Sequence, residues 1–78
     1  MMYQVKVFVT LKESIIDPAG TAVKTALHEL GFENVQNVRL SKMIELTVTD
    51  VSGIEDMCER LLVNPVMETY HIEIEEIA

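Results

Sequence analysis

The sequence is poor in the residues on which most enzyme and metal sites depend. Its 78 residues include one cysteine (Cys58), two histidines (His28 and His71) and no tryptophan. A single cysteine excludes a disulfide within the chain, and neither histidine has another ligand at zinc-binding spacing. The three glycines form none of the GxGxxG, GxxxxGK[ST] or GxSxG patterns. We therefore predict no catalytic residue, no metal site and no cofactor.

Basic residues and long apolar runs are also scarce. Six lysines and arginines stand against 13 acidic residues, which gives a formal net charge of −7. Because nucleic-acid binding depends on basic side chains that neutralise phosphates, we expect no nucleic-acid partner. No apolar run approaches the roughly 20 residues that cross a bilayer, and the first residues alternate like a strand rather than a signal peptide. The sequence predicts a cytoplasmic protein with no membrane partner.

The small size of the chain favours assembly. A domain of this length buries only roughly 60% of the surface of its unfolded chain, so disulfides, a metal or oligomerisation usually stabilise it. The first two are disfavoured by composition. We therefore expect a single domain over residues 1–78 that forms a homodimer or a tetramer.

Apolar periodicity predicts the first and last strands of the chain and the first helix. Residues 3–11 and 70–74 alternate with a period of two, which is typical of strands with one buried face. Asp17-Pro18 is a helix start and Gly31 a helix end. The helix between them carries an apolar stripe, which consists of Ala22, Val23, Ala26, Leu27 and Leu30.

The middle of the chain predicts a long strand and a second helix. Residues 35–49 are strand-like throughout, and we favour one long strand, kinked near Ser41, over a hairpin whose turn would lack Asn or Gly. A capping box, Ser52-x-x-Glu55, then begins a helix that ends at Asn64-Pro65. The predicted fold is α+β, a two-layer β-α-β-α-β sandwich with both helices on one face of an antiparallel sheet. A ferredoxin-like βαββαβ fold is the alternative.

One face of this sheet would have no helix over it. Phe8 and Met43 fall on that face together with polar residues, which are Arg39, Thr47 and His71. Two large apolar side chains on an uncovered face indicate contact with another subunit. We expect His28 to lie on the surface and His71 to make a polar contact across strands. We expect Cys58 to be a buried, inert thiol.

Three further residues are not required by the predicted fold. Gly20 stands at the third position of the first helix, where glycine costs roughly 0.5–1 kcal/mol relative to alanine. It indicates close approach by another backbone or an anion. Arg39 and Lys42 are charges on an otherwise apolar or neutral strand. We expect all three to contact a partner subunit and to matter little for stability.

At these positions the sequence resembles the PurS family, the small subunits of phosphoribosylformylglycinamidine synthase. The resemblance covers nearly the whole chain, through residues 9–12, 17–23, 26–32, 38–42, 45–46 and 58–66. The family usually has glycine where this chain has Ser41, so the local backbone there is expected to differ.

The resemblance implies a subunit that is not catalytic alone but belongs to an ATP-dependent C–N ligase of purine biosynthesis. Such a subunit would bring together a synthetase (PurL-type) and a glutaminase (PurQ-type) subunit and help ammonia pass between them. The complex would convert formylglycinamide ribonucleotide, glutamine and ATP into formylglycinamidine ribonucleotide. A stand-alone regulatory domain that binds a small molecule is the alternative, and pull-down of the two large subunits would separate the hypotheses.

Overall fold

The computed structural model describes residues 1–77 and has the order β-α-β-α-β. The three strands are β1 (Tyr3–Leu11), β2 (Lys42–Val48) and β3 (Glu68–Glu76). The helices are α1 (Pro18–Glu29) and α2 (Ile54–Met57), and a π-helical segment (Cys58–Leu62) continues α2 without a break. In this part of the chain, no helix is long and apolar enough to cross a membrane. The predicted α+β class is confirmed.

The strand β1 forms the centre of an antiparallel sheet in the order β2-β1-β3. Its alternate residues Val5, Val7 and Val9 are at most 2% exposed, as the period-two pattern predicts. Ile54, Cys58 and Val63 complete the buried core on the same face of the sheet. We call this the inner face and the opposite one the outer face.

The second helix covers the inner face, as predicted, but it begins differently. Its N-cap is Gly53, which makes no side-chain capping bond. The Ser52 hydroxyl instead donates to the Asp50 carboxylate at 2.9 Å, so the predicted capping box does not form. Ile54 and Cys58, one turn apart, point into the core.

The first helix begins as predicted but does not lie on the sheet. Asp17 is its N-cap, Pro18 occupies the first turn, and Gly31 has the positive φ of 99° that favours glycine after a helix. Within residues 1–77, α1 contributes no side chain to the buried core or to the partly buried side chains packed against it. The helix belongs to residues 12–41, which leave the sheet after β1 and return at β2, and which we call the arm. The expectation that both helices cover one sheet face is therefore not met within a single chain.

The middle strand is single, as favoured over the hairpin, but it is shorter than predicted. It begins at Lys42, and residues 35–41 are an irregular return path along α1. The His28 ring nitrogen Nε2 contacts the Val35 carbonyl at 2.9 Å near the helix end. Val38 lies against Gly20 near the helix start. Arg39 consequently lies in the arm, so its predicted place on the sheet is wrong.

Candidate partner-binding site

The outer face carries a row of large side chains across all three strands. Phe8 pairs in register with Met43 of β2 on one side and with His71 of β3 on the other. The Phe8 and His71 rings stack with centroids 6.1 Å apart and planes at 29°. Met43 is 47% exposed. We call Met43, Phe8 and His71 the outer row; it brings together the two apolar residues predicted to meet a partner.

Charged residues flank the outer row on the side toward the start of β1. Lys6 pairs in register with Glu45 on β2 and with Glu73 on β3, so one cation stands between two carboxylates. Glu73 also lies 3.4 Å from the His71 ring nitrogen Nε2. We call Glu45, Lys6 and Glu73 the acidic band. The outer face thus combines the outer row with this band, and such a surface suits a partner with apolar and basic groups.

The base of the arm is held by the Asp17 carboxylate. Its Oδ1 accepts the backbone N–H of Gly20 at 2.9 Å, which caps α1. Its Oδ2 accepts the backbone N–H of Leu40 at 2.9 Å, which ties the return path to the helix start. These hydrogen bonds hold the pKa of Asp17 below its ordinary value of 3.8, and the bond from Gly20 has the larger effect, followed by the bond from Leu40.

Gly20 has an intramolecular reason to be glycine. A Cβ atom at this position would overlap the Val38 carbonyl oxygen and lie 2.9 Å from Asp17 Oδ2. The backbone that approaches this glycine is therefore the chain's own return path. Gly20 itself is buried in the chain. Contact between Gly20 and a partner subunit stays a prediction.

Arg39 also serves the arm. Its Nη2 donates to the carbonyl oxygens of Leu11 at 2.8 Å and Lys12 at 3.1 Å, where β1 ends. We call Asp17 and Arg39, with these backbone partners, the clamp. The expectation that the fold does not use Arg39 is wrong, because its guanidinium joins the two ends of the arm.

Lys42 remains the freer of the two basic residues. Its Nζ lies 3.9 Å from a Glu68 carboxylate oxygen, and 58% of its side chain is exposed. An exposed ion pair of this length contributes little to stability. Lys42 therefore keeps the properties predicted for a partner contact.

The other candidate residues have structural surroundings. Cys58 is fully buried, and burial first, then the charges of Glu59 and Glu55, raises the pKa of its thiol above 9.0, which keeps it neutral. Within residues 1–77 no three histidine, cysteine or acidic side chains gather as a metal site would require. The cysteine is part of the core, where an apolar side chain is needed.

The sequence did not predict the clamp, although one of its two side chains, Asp17, was recognisable as a helix cap. Asp17 was identified as a helix cap, but a carboxylate has two oxygens and the second one binds Leu40, 23 residues away. Pairing of Arg39 with backbone carbonyls leaves no local pattern in a sequence. It depends on a contact between segments whose positions periodicity does not give.

Comparisons with known proteins agree with these features. Residues 4–76 match the family model described as PurS: Phosphoribosylformylglycinamidine (FGAM) synthase. The chain is 49% identical over 81 residues to the synthase subunit PurS of Bacillus subtilis, covering 97% of this chain and 96% of that protein.

Solved structures agree as well. PurS of Methanocaldococcus jannaschii, one of the subunits of formylglycinamide ribonucleotide amidotransferase, matches with a TM-score of 0.88 and 36% identity, covering 97% of this chain and 99% of that one. A chain in the PurLQS structure from Thermotoga maritima matches with a TM-score of 0.83 and 28% identity, covering 96% and 99%. A family model over nearly the whole length and relatives of this similarity place the chain in the PurS family of phosphoribosylformylglycinamidine synthase subunits.

Proposed function

We propose that this chain is a non-catalytic assembly subunit of phosphoribosylformylglycinamidine synthase and acts in the cytoplasm. It joins the synthetase (PurL-type) subunit to the glutaminase (PurQ-type) subunit, so that ammonia released at one site reaches the other. The structural relative in the PurLQS structure from Thermotoga maritima supports such an arrangement.

The uncovered outer face carries this proposal. In the part of the chain that the structure describes, the helical residues of the core pack on the inner face, and Met43 of the outer row is 47% exposed. Phe8 and Met43 are the kind of side chain that forms the centre of an interface, and the neighbouring carboxylates suit its polar rim. A rigid three-stranded sheet presents them without a loss of backbone freedom on binding.

The acidic band gives the outer face a preferred orientation. Glu45 and Glu73 outnumber the single cation between them, Lys6. A partner with basic residues at matching positions would be steered to this face and held in one register. Fixed register is what a shielded path for ammonia between two active sites requires. Lys42 has the opposite strand parity to Met43 and pairs in register with Val9, so its side chain lies on the inner face and is not part of this contact.

An assembly measurement tests this proposal. The synthetase and glutaminase subunits are mixed with this chain in the presence of ATP, Mg²⁺ and glutamine, and the complex is sized by sedimentation. We expect one complex that contains all three chains. The double variant Phe8→Ser, Met43→Ser should abolish it, whereas Thr47→Ser on the same face, beyond the acidic band, should not.

Two results would overturn the proposal. One is a mixture in which the wild-type chain stays separate from both large subunits. The other is full assembly by the double variant, which would mean that the outer row does not contact a partner. Circular dichroism of the double variant checks that its fold is retained.

A further inference from the structure

The methionines of this chain lie outside its buried core. All five are between 40% and 75% exposed, whereas valine, isoleucine and cysteine side chains fill the core; they are Met1, Met2, Met43, Met57 and Met67. Oxidation of a methionine to the sulfoxide turns a flexible apolar side chain into a polar one. Exposure makes each sulfur accessible to an oxidant, and the consequence depends on the surface to which the methionine belongs.

Four of the five methionines lie away from the outer row. Met1 and Met2 precede β1 at the start of the chain. Met57 belongs to α2, whose buried residue packs on the inner face. Met67 lies in the turn before β3, where its carbonyl accepts the Lys12 N–H at 2.9 Å. Oxidation at these positions would leave the proposed contact with the large subunits unchanged.

Met43 differs because it belongs to the outer row. It pairs in register with Phe8, whose ring stacks with that of His71 at 6.1 Å between centroids. Methionine packs favourably beside aromatic rings because its thioether is apolar and polarizable. With 47% of the residue exposed, an oxidant in solvent can reach it in the free chain. The accessible thioether thus lies at the centre of the surface that is proposed to meet a partner.

A sulfoxide at this position would have few hydrogen-bond donors around it. Its oxygen is an acceptor, while Phe8 opposite it carries no donor and Glu45, two residues along the same face of β2, is itself an acceptor when ionised. Donors stand only diagonally across β1, on Lys6 and Thr10, and Lys6 already lies between the two carboxylates of the acidic band. A partner that covers Met43 would therefore bury a polar oxygen without a matching donor.

We propose that Met43 is a site of reversible oxidation by hydroperoxides, and that its sulfoxide weakens assembly with the large subunits. A sulfur lone pair attacks one peroxide oxygen; the S–O bond forms as the O–O bond breaks, and the proton on the transferred oxygen passes to the leaving oxygen. Sulfur is oxidised by two electrons, and hydrogen peroxide is reduced to water. Methionine sulfoxide reductases reverse the change. This inference rests on the proposed function, because it needs the outer row to contact a partner.

Oxidation mapping tests the accessibility of the site. The free chain and the assembled three-chain complex are each treated with hydrogen peroxide, and their peptides are weighed by mass spectrometry. We expect Met43 to gain one oxygen in the free chain and to be protected in the complex, with Met1, which is 75% exposed, as the internal reference. A Met43 that stays unoxidised in the free chain, or reacts equally in both samples, would overturn the proposal.

Sedimentation with the large subunits tests the effect on assembly. Peroxide treatment of the wild-type chain should weaken assembly about tenfold to a hundredfold, and methionine sulfoxide reductase should restore it. Met43→Leu should bind equally before and after peroxide, whereas the control Met57→Leu should lose affinity as the wild type does. Met43→Gln, which carries a polar carbonyl in place of the sulfoxide, should be weakened without peroxide.

The outcomes separate this inference from the proposed function. Failure of the untreated wild-type chain to assemble would contradict the proposed function and this inference with it. Assembly of the untreated and the oxidised chain with equal affinity would overturn the oxidation site alone. Full affinity of Met43→Gln, or an equal loss on peroxide treatment of Met43→Leu, would also overturn it.

Discussion

The Asp17 carboxylate accepts the backbone N–H of Leu40 at 2.9 Å, across 23 residues of chain. The same carboxylate caps α1 through Gly20. One side chain therefore determines both where the helix starts and where the return path ends. The direction of the arm follows from this pair and from Arg39, rather than from packing on the sheet.

The clamp should respond to acid through Asp17. Because its pKa is lower in the folded chain than the ordinary 3.8, its contribution to stability is present above that value. The contribution is lost as the pH falls through the lower, folded pKa. In NMR spectra the amide signals of Gly20 and Leu40 should shift together in this acidic range. Asp17→Asn should remove the shift, and unchanged titration in that variant would assign it to another group.

Gly20→Ala should destabilise the chain by about 1–3 kcal/mol, because its Cβ would overlap the Val38 carbonyl oxygen. Gly53→Ala is the matched control, since among residues 1–77 the only atom within 4 Å of a Cβ there is the Met57 methyl carbon, at 3.9 Å. Urea unfolding at one protein concentration measures both. Equal urea midpoints for the two variants would show that the arm can shift to accommodate the Cβ without loss of stability.

Arg39 and Lys42 should differ in their effects on stability. Arg39→Ala removes two charge-assisted bonds to backbone carbonyls and should lower the free energy of unfolding by about 1–3 kcal/mol. Lys42→Ala removes only an exposed pair and should cost under about 1 kcal/mol. Thermal unfolding of each single variant checks this order. The reverse order would mean that the Arg39 contacts do not hold the arm.

Cys58→Ser should lower stability by about 1–3 kcal/mol, because a hydroxyl would enter the buried core beside Val5 and Val7. Cys58→Ala, which adds no polar group, is the control. Both variants should support the synthase reaction once folded. A folded Cys58→Ser complex without activity would indicate a chemical role for the thiol and contradict the account.

Local patterns predicted the elements whose causes are local. The alternation around Val5 and Val7 predicted β1, and Asp17-Pro18 predicted the start of α1. The placement of α1 could not be predicted in this way. Its apolar stripe shows that the helix must be covered, but a stripe does not say whether the cover is the same chain or another copy.

The predicted partner residues also divide into those that local patterns place and those that contacts between distant segments place. Phe8 and Met43 lie in neighbouring strands of one face, and strand parity is enough to place them together. Gly20 and Arg39 resembled free positions because their partners, Val38 and the end of β1, are contacts between distant segments. Residues that seem unnecessary to local structure were here the ones that join distant parts of the chain.

If this chain holds the synthetase and glutaminase subunits so that ammonia passes between them, synthesis from glutamine should depend on its presence. The most direct test compares product formation by the synthetase and glutaminase subunits, with and without this chain, using either glutamine or free ammonia as the nitrogen source. We predict that omission abolishes glutamine-dependent synthesis and reduces ammonia-dependent synthesis much less, since free ammonia needs no path from the glutaminase. Glutamine-dependent synthesis at the full rate without this chain would contradict the account.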